Sequence, residues 1–142
     1  MIRYELNQAR LRGGQRVPDA AVKRALKAVS DVLVHESDTD VSVAFVSEGE
    51  MRKLNKQWRG KNKVTDVLSF GEKGNGEVLI SYAQAQRQGK EMGHSTRDEI
   101  LFLLVHGVLH LSGYDHERPT DAKKMFPLQT EILNRLGIDP RL

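Results

Sequence analysis

The chain has 142 residues, the length of one compact domain over residues 1–142, and carries a formal net charge of +3. It contains no cysteine, which excludes disulfides and leaves His, Asp and Glu as the side chains able to hold a metal. The N-terminus lacks the apolar stretch of a signal peptide, and the longest apolar run, residues 100–105, is too short to span a membrane. We therefore expect a cytoplasmic protein with no membrane partner.

The first half of the chain alternates between predicted strands and helices. Residues 1–6 predict a short strand, and an apolar face of helical period predicts a helix from Pro18 to about residue 35. Residues 41–46 alternate in the manner of a strand. Ser47 with Glu50 three residues later is typical of a capping box, which predicts a helix through Trp58.

The second half predicts two more strands, at residues 67–70 and 77–81, and then helices only. A helix is predicted over residues 82–88, and Ser95 with Asp98 predicts the start of a strongly apolar helix that runs to residue 111 and stops at Gly113. Residues 119–136 predict a last helix, which Pro127 should kink or split. The order of elements predicts an α+β domain with a small mixed sheet of about four strands packed with helices.

A basic segment lies in the middle of the chain. Residues 51–65 contain six Lys or Arg residues and no acid, which favours a polyanionic partner. The simpler alternative is a solvated helix face and loop. Lys56, Lys61 and Lys63 are interpreted as candidate phosphate contacts within this segment.

Three histidines close to one another indicate a metal site. His106 and His110 lie four residues apart on the predicted apolar helix, so both imidazoles can point at one ion. Gly113 can adopt a positive φ and turn the chain back, which lets His116 reach the same point from outside the helix. Three imidazoles leave a fourth position open for water, as in catalytic zinc sites, and predict a zincin-like zinc centre on a buried helix. The same ligands also suit nickel, copper or cobalt.

The histidine spacing matches the metzincin protease signature His-Glu-x-x-His-x-x-Gly-x-x-His at all positions but one. Gly107 stands where the signature has the glutamate that acts as general base in peptide hydrolysis. A metallopeptidase therefore remains as an alternative, but Gly107 argues against it. A phosphodiester can be cleaved with less help from a carboxylate, because the metal generates the nucleophile.

Two motifs resemble a known family, the YbeY endoribonucleases and rRNA maturation factors of bacteria. They are His106-Gly-Val-Leu-His110-Leu-Ser-Gly113-Tyr-Asp-His116 and Asn55-Lys-Gln-Trp-Arg-Gly-Lys-Asn-Lys-Val-Thr-Asp-Val-Leu-Ser-Phe70, and residues 76–81 add a weaker match. The resemblance implies one zinc ion on the three histidines, cleavage of single-stranded RNA, and a role in small-subunit rRNA 3′-end maturation and ribosome quality control. Arg59 matches the family's functionally important arginine. The departures from the family pattern are Val64, Gly71 and Glu77.

Several residues keep two interpretations. Arg59 can bind a phosphate through its guanidinium or pair with Asp66, and the resemblance favours the first, as a catalytic residue. Asp66 is interpreted as structural, and Asp115 either as a general base or ligand partner or as part of a turn. A non-catalytic ribosome-assembly factor with a structural zinc is the second alternative to a hydrolase.

Overall fold

The structure is a computed structural model, and it describes residues 2–33, 38–60, 66–72 and 75–140. These ranges contain a strand or helix at every predicted place, and the last strand begins two residues earlier than predicted, at Asn75. In chain order the elements are β1 (Ile2–Asn7), a short 3₁₀ turn (Gly13–Gln15), α1 (Asp19–Val32), β2 (Thr39–Val46), α2 (Glu48–Arg59), β3 (Val67–Glu72), β4 (Asn75–Ser81), α3 (Tyr82–Met92), α4 (Thr96–Leu111) and α5 (Pro119–Leu136).

The four strands form one mixed sheet in the order β1-β2-β4-β3. Strand β2 pairs in parallel with β1 and β4, while β3 pairs antiparallel with β4 at the sheet edge. Side chains alternate between the two faces of a strand, so the buried Val78 and Ile80 of β4 face the core while Leu79 faces the other side. The predicted α+β class with a four-stranded mixed sheet is confirmed.

Helix α4 lies at the centre of the domain. It packs on β3 and β4 and contacts α1, α3 and α5. Ten of its 16 residues are buried, which confirms the predicted buried helix. Its start is capped as predicted, because the Ser95 hydroxyl accepts a hydrogen bond from the Asp98 amide. Glu99 is also fully buried in this helix, and its carboxylate lies 3.5 Å from His94 Nδ1.

Helix α5 is one continuous helix from Pro119 to Leu136, so Pro127 does not split it. A proline in a helix removes one backbone hydrogen bond. Met125, Ile132 and Leu133 are fully buried on either side of Pro127, and this packing outweighs the lost bond. None of the helices in the described ranges is long and apolar enough to cross a membrane.

Candidate metal centre

The structure brings the three predicted histidines to one point. His106 and His110 lie one turn apart on α4, and their Nε2 atoms are 3.0 Å apart. Ligand atoms of all three rings, including that of the exposed His116, lie within 4.8 Å of one another. The described residues thus contain a group of three imidazoles with the spacing and chemistry of a transition-metal site.

The end of α4 explains how His116 reaches this point. Gly113 has a φ of 97°, a conformation that favours glycine. The Gly113 amide donates to the His110 carbonyl and the Tyr114 amide to the Leu109 carbonyl, which is the hydrogen-bond pattern of a Schellman helix end. The chain reverses here, and His116 follows three residues later, as the sequence predicted.

The tautomers of the two helical histidines suit a metal. His110 Nδ1–H donates to the Tyr114 carbonyl oxygen at 2.9 Å, and His106 Nδ1–H donates to Gln129 Oε1 at 2.7 Å. Both Nε2 atoms therefore carry lone pairs and face each other. Two lone pairs at this separation repel, and a cation bound between them relieves that repulsion, so the residues present fit a metal ion.

The protonation of these histidines also suits metal binding. Burial lowers the pKa of His106 to about 4, although its hydrogen bond to Gln129 opposes the shift. Burial lowers the pKa of His110 as well, and the positive charge of Arg59 contributes in the same direction. Both rings are consequently neutral at neutral pH, which is the form that binds metals.

These shifts predict how acid affects the metal-free protein. The unfolded chain binds a proton at its histidines near their ordinary pKa of 6.5, whereas folded His106 does so only at about 4. Unfolding therefore takes up protons between these values, and the free energy of unfolding should fall by roughly 2–3 kcal/mol as the pH drops through this window. Urea unfolding in the presence of a chelator measures this loss. A His106→Asn variant should show a flatter pH dependence, and an equal slope in both proteins would contradict the prediction.

Helix α5 supports two of the three histidines. Gln129, which is 1% exposed, accepts the hydrogen bond from His106, and Phe126 stacks on the His116 ring with centroids 5.7 Å apart. The two residues are three positions apart and so lie on one face of α5. Sequence reasoning missed both residues, because only their position on a neighbouring helix relates them to the histidine motif.

Removing the Gln129 amide should weaken metal binding without removing a ligand. In a Gln129→Leu variant the side chain keeps a similar size, but His106 loses the acceptor that holds its ring and tautomer. Loss of such a partner typically costs about 10- to 100-fold in metal affinity. Competition with a chromophoric chelator measures this change, and Thr130→Ala, the next residue on α5, serves as the control. Equal affinities for the two variants would argue that the hydrogen bond has no part in metal binding.

The histidines open into a cleft of about 470 Å³ that α2 and β3 border. Arg59, at the end of α2, lines this cleft together with the buried Asn55. Lys56 is exposed on α2 and is not among the lining residues. Lys61 and Lys63 lie outside the described residues. Of the predicted phosphate-binding side chains, the structure thus places Arg59 beside the histidines.

Two aspartates near the histidines make backbone hydrogen bonds. Asp115 Oδ1 accepts from the His116 amide at 2.7 Å, and this bond lowers the pKa of Asp115. Asp66 Oδ1 accepts from the Val67 amide at 2.9 Å, and the Asp66 carbonyl accepts from the Ser81 amide. Asp115 thus shapes the turn that carries His116, and Asp66 fixes the start of β3.

Gly107 allows α4 to lie close to the sheet. A Cβ atom at this position would lie 2.9 Å from Val78 Cγ1 and 3.0 Å from the Ser69 hydroxyl. That hydroxyl donates a hydrogen bond to the Gly107 carbonyl oxygen. A side chain at position 107 would therefore meet β3 and β4, which leaves no space for the glutamate of the metzincin signature.

The fold and the site define a class of protein: a small α+β domain in which three histidines, two on a buried helix and one just after it, converge and could hold a metal ion. The family model described as Endoribonuclease YbeY matches residues 6–137. The chain belongs to the YbeY family, as the motifs predicted.

Individual relatives cover most of the chain. A protein named Endoribonuclease YbeY from a Sulfurihydrogenibium species is 41% identical over 126 residues, which cover 80% of this chain and 83% of the relative. The protein of the same name from Bacillus licheniformis is 41% identical over 142 residues, covering 87% and 90%. The solution structure of a Thermotoga maritima protein is similar with a TM-score of 0.64 and 31% identity, covering 95% of this chain and 91% of that one.

Proposed function

We propose that this chain is a zinc-dependent endoribonuclease that cleaves single-stranded RNA, with a cytoplasmic role in small-subunit rRNA 3′-end maturation and ribosome quality control. Membership of the YbeY family supports RNA as the substrate class. The observation that carries the proposal is the position of Arg59 in the same cleft as three convergent imidazoles. A metal and a fixed cation that face the same phosphate are the groups that stabilise the charge formed during phosphodiester cleavage.

The residues that line the cleft have different roles in the proposed reaction. The three histidines, which line the cleft, would hold the ion. A divalent metal held there would supply Lewis-acid chemistry, both for activating a water and for polarising the phosphate oxygens. Arg59 has two parallel N–H groups that can bind a phosphate oxygen pair, so it would orient the scissile phosphate and stabilise the charge that develops on it.

The other two hypotheses have weaker support in this cleft. A metallopeptidase would need a general base next to His106, and Gly107 faces the sheet instead. A zinc that only stabilises the fold is usually closed by four protein ligands, whereas the described residues offer three, one of them exposed.

Replacing Arg59 should reduce RNA cleavage and leave the metal in place. We expect Arg59→Ala to lower kcat by about 100-fold, as for the loss of one positioned donor to the developing charge. Arg59→Lys should recover only part of this loss, because lysine cannot bind bidentately. Cleavage of a single-stranded oligoribonucleotide and metal content are measured on the same samples. Gln57→Ala, an exposed uncharged side chain on α2 that lines neither cavity beside this helix, is the control, and an Arg59→Ala protein as active as this control would refute the proposed role.

A further inference from the structure

Helix α2 borders a second groove that the proposed function does not use. The groove has a volume of about 500 Å³ between α2 and the β3–β4 hairpin, with apolar walls from Leu54, Trp58, Phe70 and Leu79. Trp58 is 63% exposed and touches Phe70 edge-on, with ring centroids 6.0 Å apart. A large aromatic ring left this exposed beside an apolar groove is typical of a binding surface.

The groove and the metal cleft lie along neighbouring faces of the same helix. Leu54 and Trp58, one turn apart, line the groove, whereas Asn55 and Arg59, also one turn apart, line the cleft. A helix with its side chains is only about 10–12 Å across. A nucleic acid strand whose phosphate binds Arg59 therefore passes within reach of Trp58.

The distribution of charge around the groove indicates which part of a nucleotide it can bind. After its first turn α2 carries Arg52, Lys53, Lys56 and Arg59 and no acid, which attracts a polyanion along the helix. The groove itself is bordered by Glu72 and Glu77, whose carboxylates repel phosphate but accept hydrogen bonds from the N–H groups of a base. An uncharged planar base fits this combination. The phosphates of the strand would lie outside the groove, on the cations of α2.

We infer that this groove binds an unpaired base of the RNA substrate, stacked on Trp58, next to the nucleotide whose phosphate lies at Arg59. The inference rests on the proposed function. Single-stranded RNA is recognised mainly by bases that leave the stack and lie on aromatic rings. Bases held in a duplex are not free to enter the groove, so this contact would also contribute to the selection of single strands.

Fluorescence tests the stacking directly, because Trp58 is the only tryptophan in the chain. Titration of the metal-free protein with single-stranded oligoadenylate should quench the emission as RNA binds. An abasic ribose-phosphate oligomer of the same length should bind through its charge with little quenching. Anisotropy of a labelled oligomer measures binding independently, and bound oligoadenylate that leaves the tryptophan emission unchanged would overturn the inference.

Variants give a second readout. Trp58→Ala should raise the Kd for oligoadenylate and the KM of the metal-loaded enzyme by at least about fivefold, while metal content stays the same. Trp58→Phe should keep most of the affinity, and Met92→Ala, another exposed apolar side chain outside the groove, is the control. If Trp58→Ala binds RNA as the control does, the groove is a docking site for something other than RNA and the inference fails. Quenching in a protein that does not cleave RNA would instead refute only the proposed function.

Discussion

A His116→Ala variant should lose its metal and its RNA cleavage together while its fold persists. His116 is exposed and lies after the end of α4, so its removal leaves no cavity in the core. We expect the free energy of unfolding of the metal-free protein to change by less than about 0.5 kcal/mol. The rate of cleavage should fall at least about a thousandfold, because the metal supplies several kcal/mol of transition-state stabilisation.

Metal analysis, urea unfolding and cleavage of a single-stranded oligoribonucleotide on the same samples test this expectation. Glu91→Ala, an exposed side chain on α3, is the matched control. Wild-type protein treated with a chelator should behave as His116→Ala does, and added metal should restore only the wild type. A chelated protein that unfolds would favour a structural zinc, since binding of a structural metal is coupled to folding. A His116→Ala protein that still cleaves RNA at the wild-type rate would refute the metal centre itself.

Replacing Gly107 should damage the fold rather than create a protease. Alanine normally stabilises a helix relative to glycine, but here its Cβ would press on Val78 and on the Ser69 hydroxyl. Val78 is fully buried and its branched side chain is stiff, so it cannot move away. Overpacking of this kind costs about 1–3 kcal/mol. Gly107→Glu also forces a carboxylate against buried apolar atoms, and we expect it to lose at least about 4 kcal/mol.

Gly49 on α2 provides the control for this substitution. A Cβ atom at Gly49 would meet no heavy atom within 4 Å. Gly49→Ala should therefore raise the free energy of unfolding by about 0.5–1 kcal/mol, the usual gain for this change in a helix. Urea unfolding of the two alanine variants should give shifts of opposite sign. A Gly107→Glu protein that folds and cleaves peptides would contradict our interpretation of this position.

The parts of the site that sequence reasoning found are those encoded by local geometry. His106 and His110 follow from helical spacing, and Gly113 marks a helix end that reverses the chain. Each of these inferences needs only neighbours within a few residues. The class of the fold followed from the same kind of local pattern. The spacing of apolar residues and the helix-capping residues located the strands and long helices that the structure describes.

The parts that sequence reasoning missed depend on contacts between distant segments. Gln129 and Phe126 touch the histidines only because α5 packs against α4. The spacing of residues along the sequence does not predict that contact. The buried pairing of His94 with Glu99 was missed for a related reason, since a solitary histidine gives no indication of its burial. The split predicted as one outcome at Pro127 was wrong, because local rules ignore the tertiary packing that keeps the helix continuous.

The support that α5 gives to the histidines links metal binding to the docking of this helix. Gln129 and Phe126 hold two of the three rings from a separate segment of the chain. When α5 is not docked, the imidazoles lack the partners that fix their orientation, and we expect metal to bind weakly. Metal affinity should therefore report on the packing of α5, so substitutions that loosen this helix should lower it even where they touch no histidine.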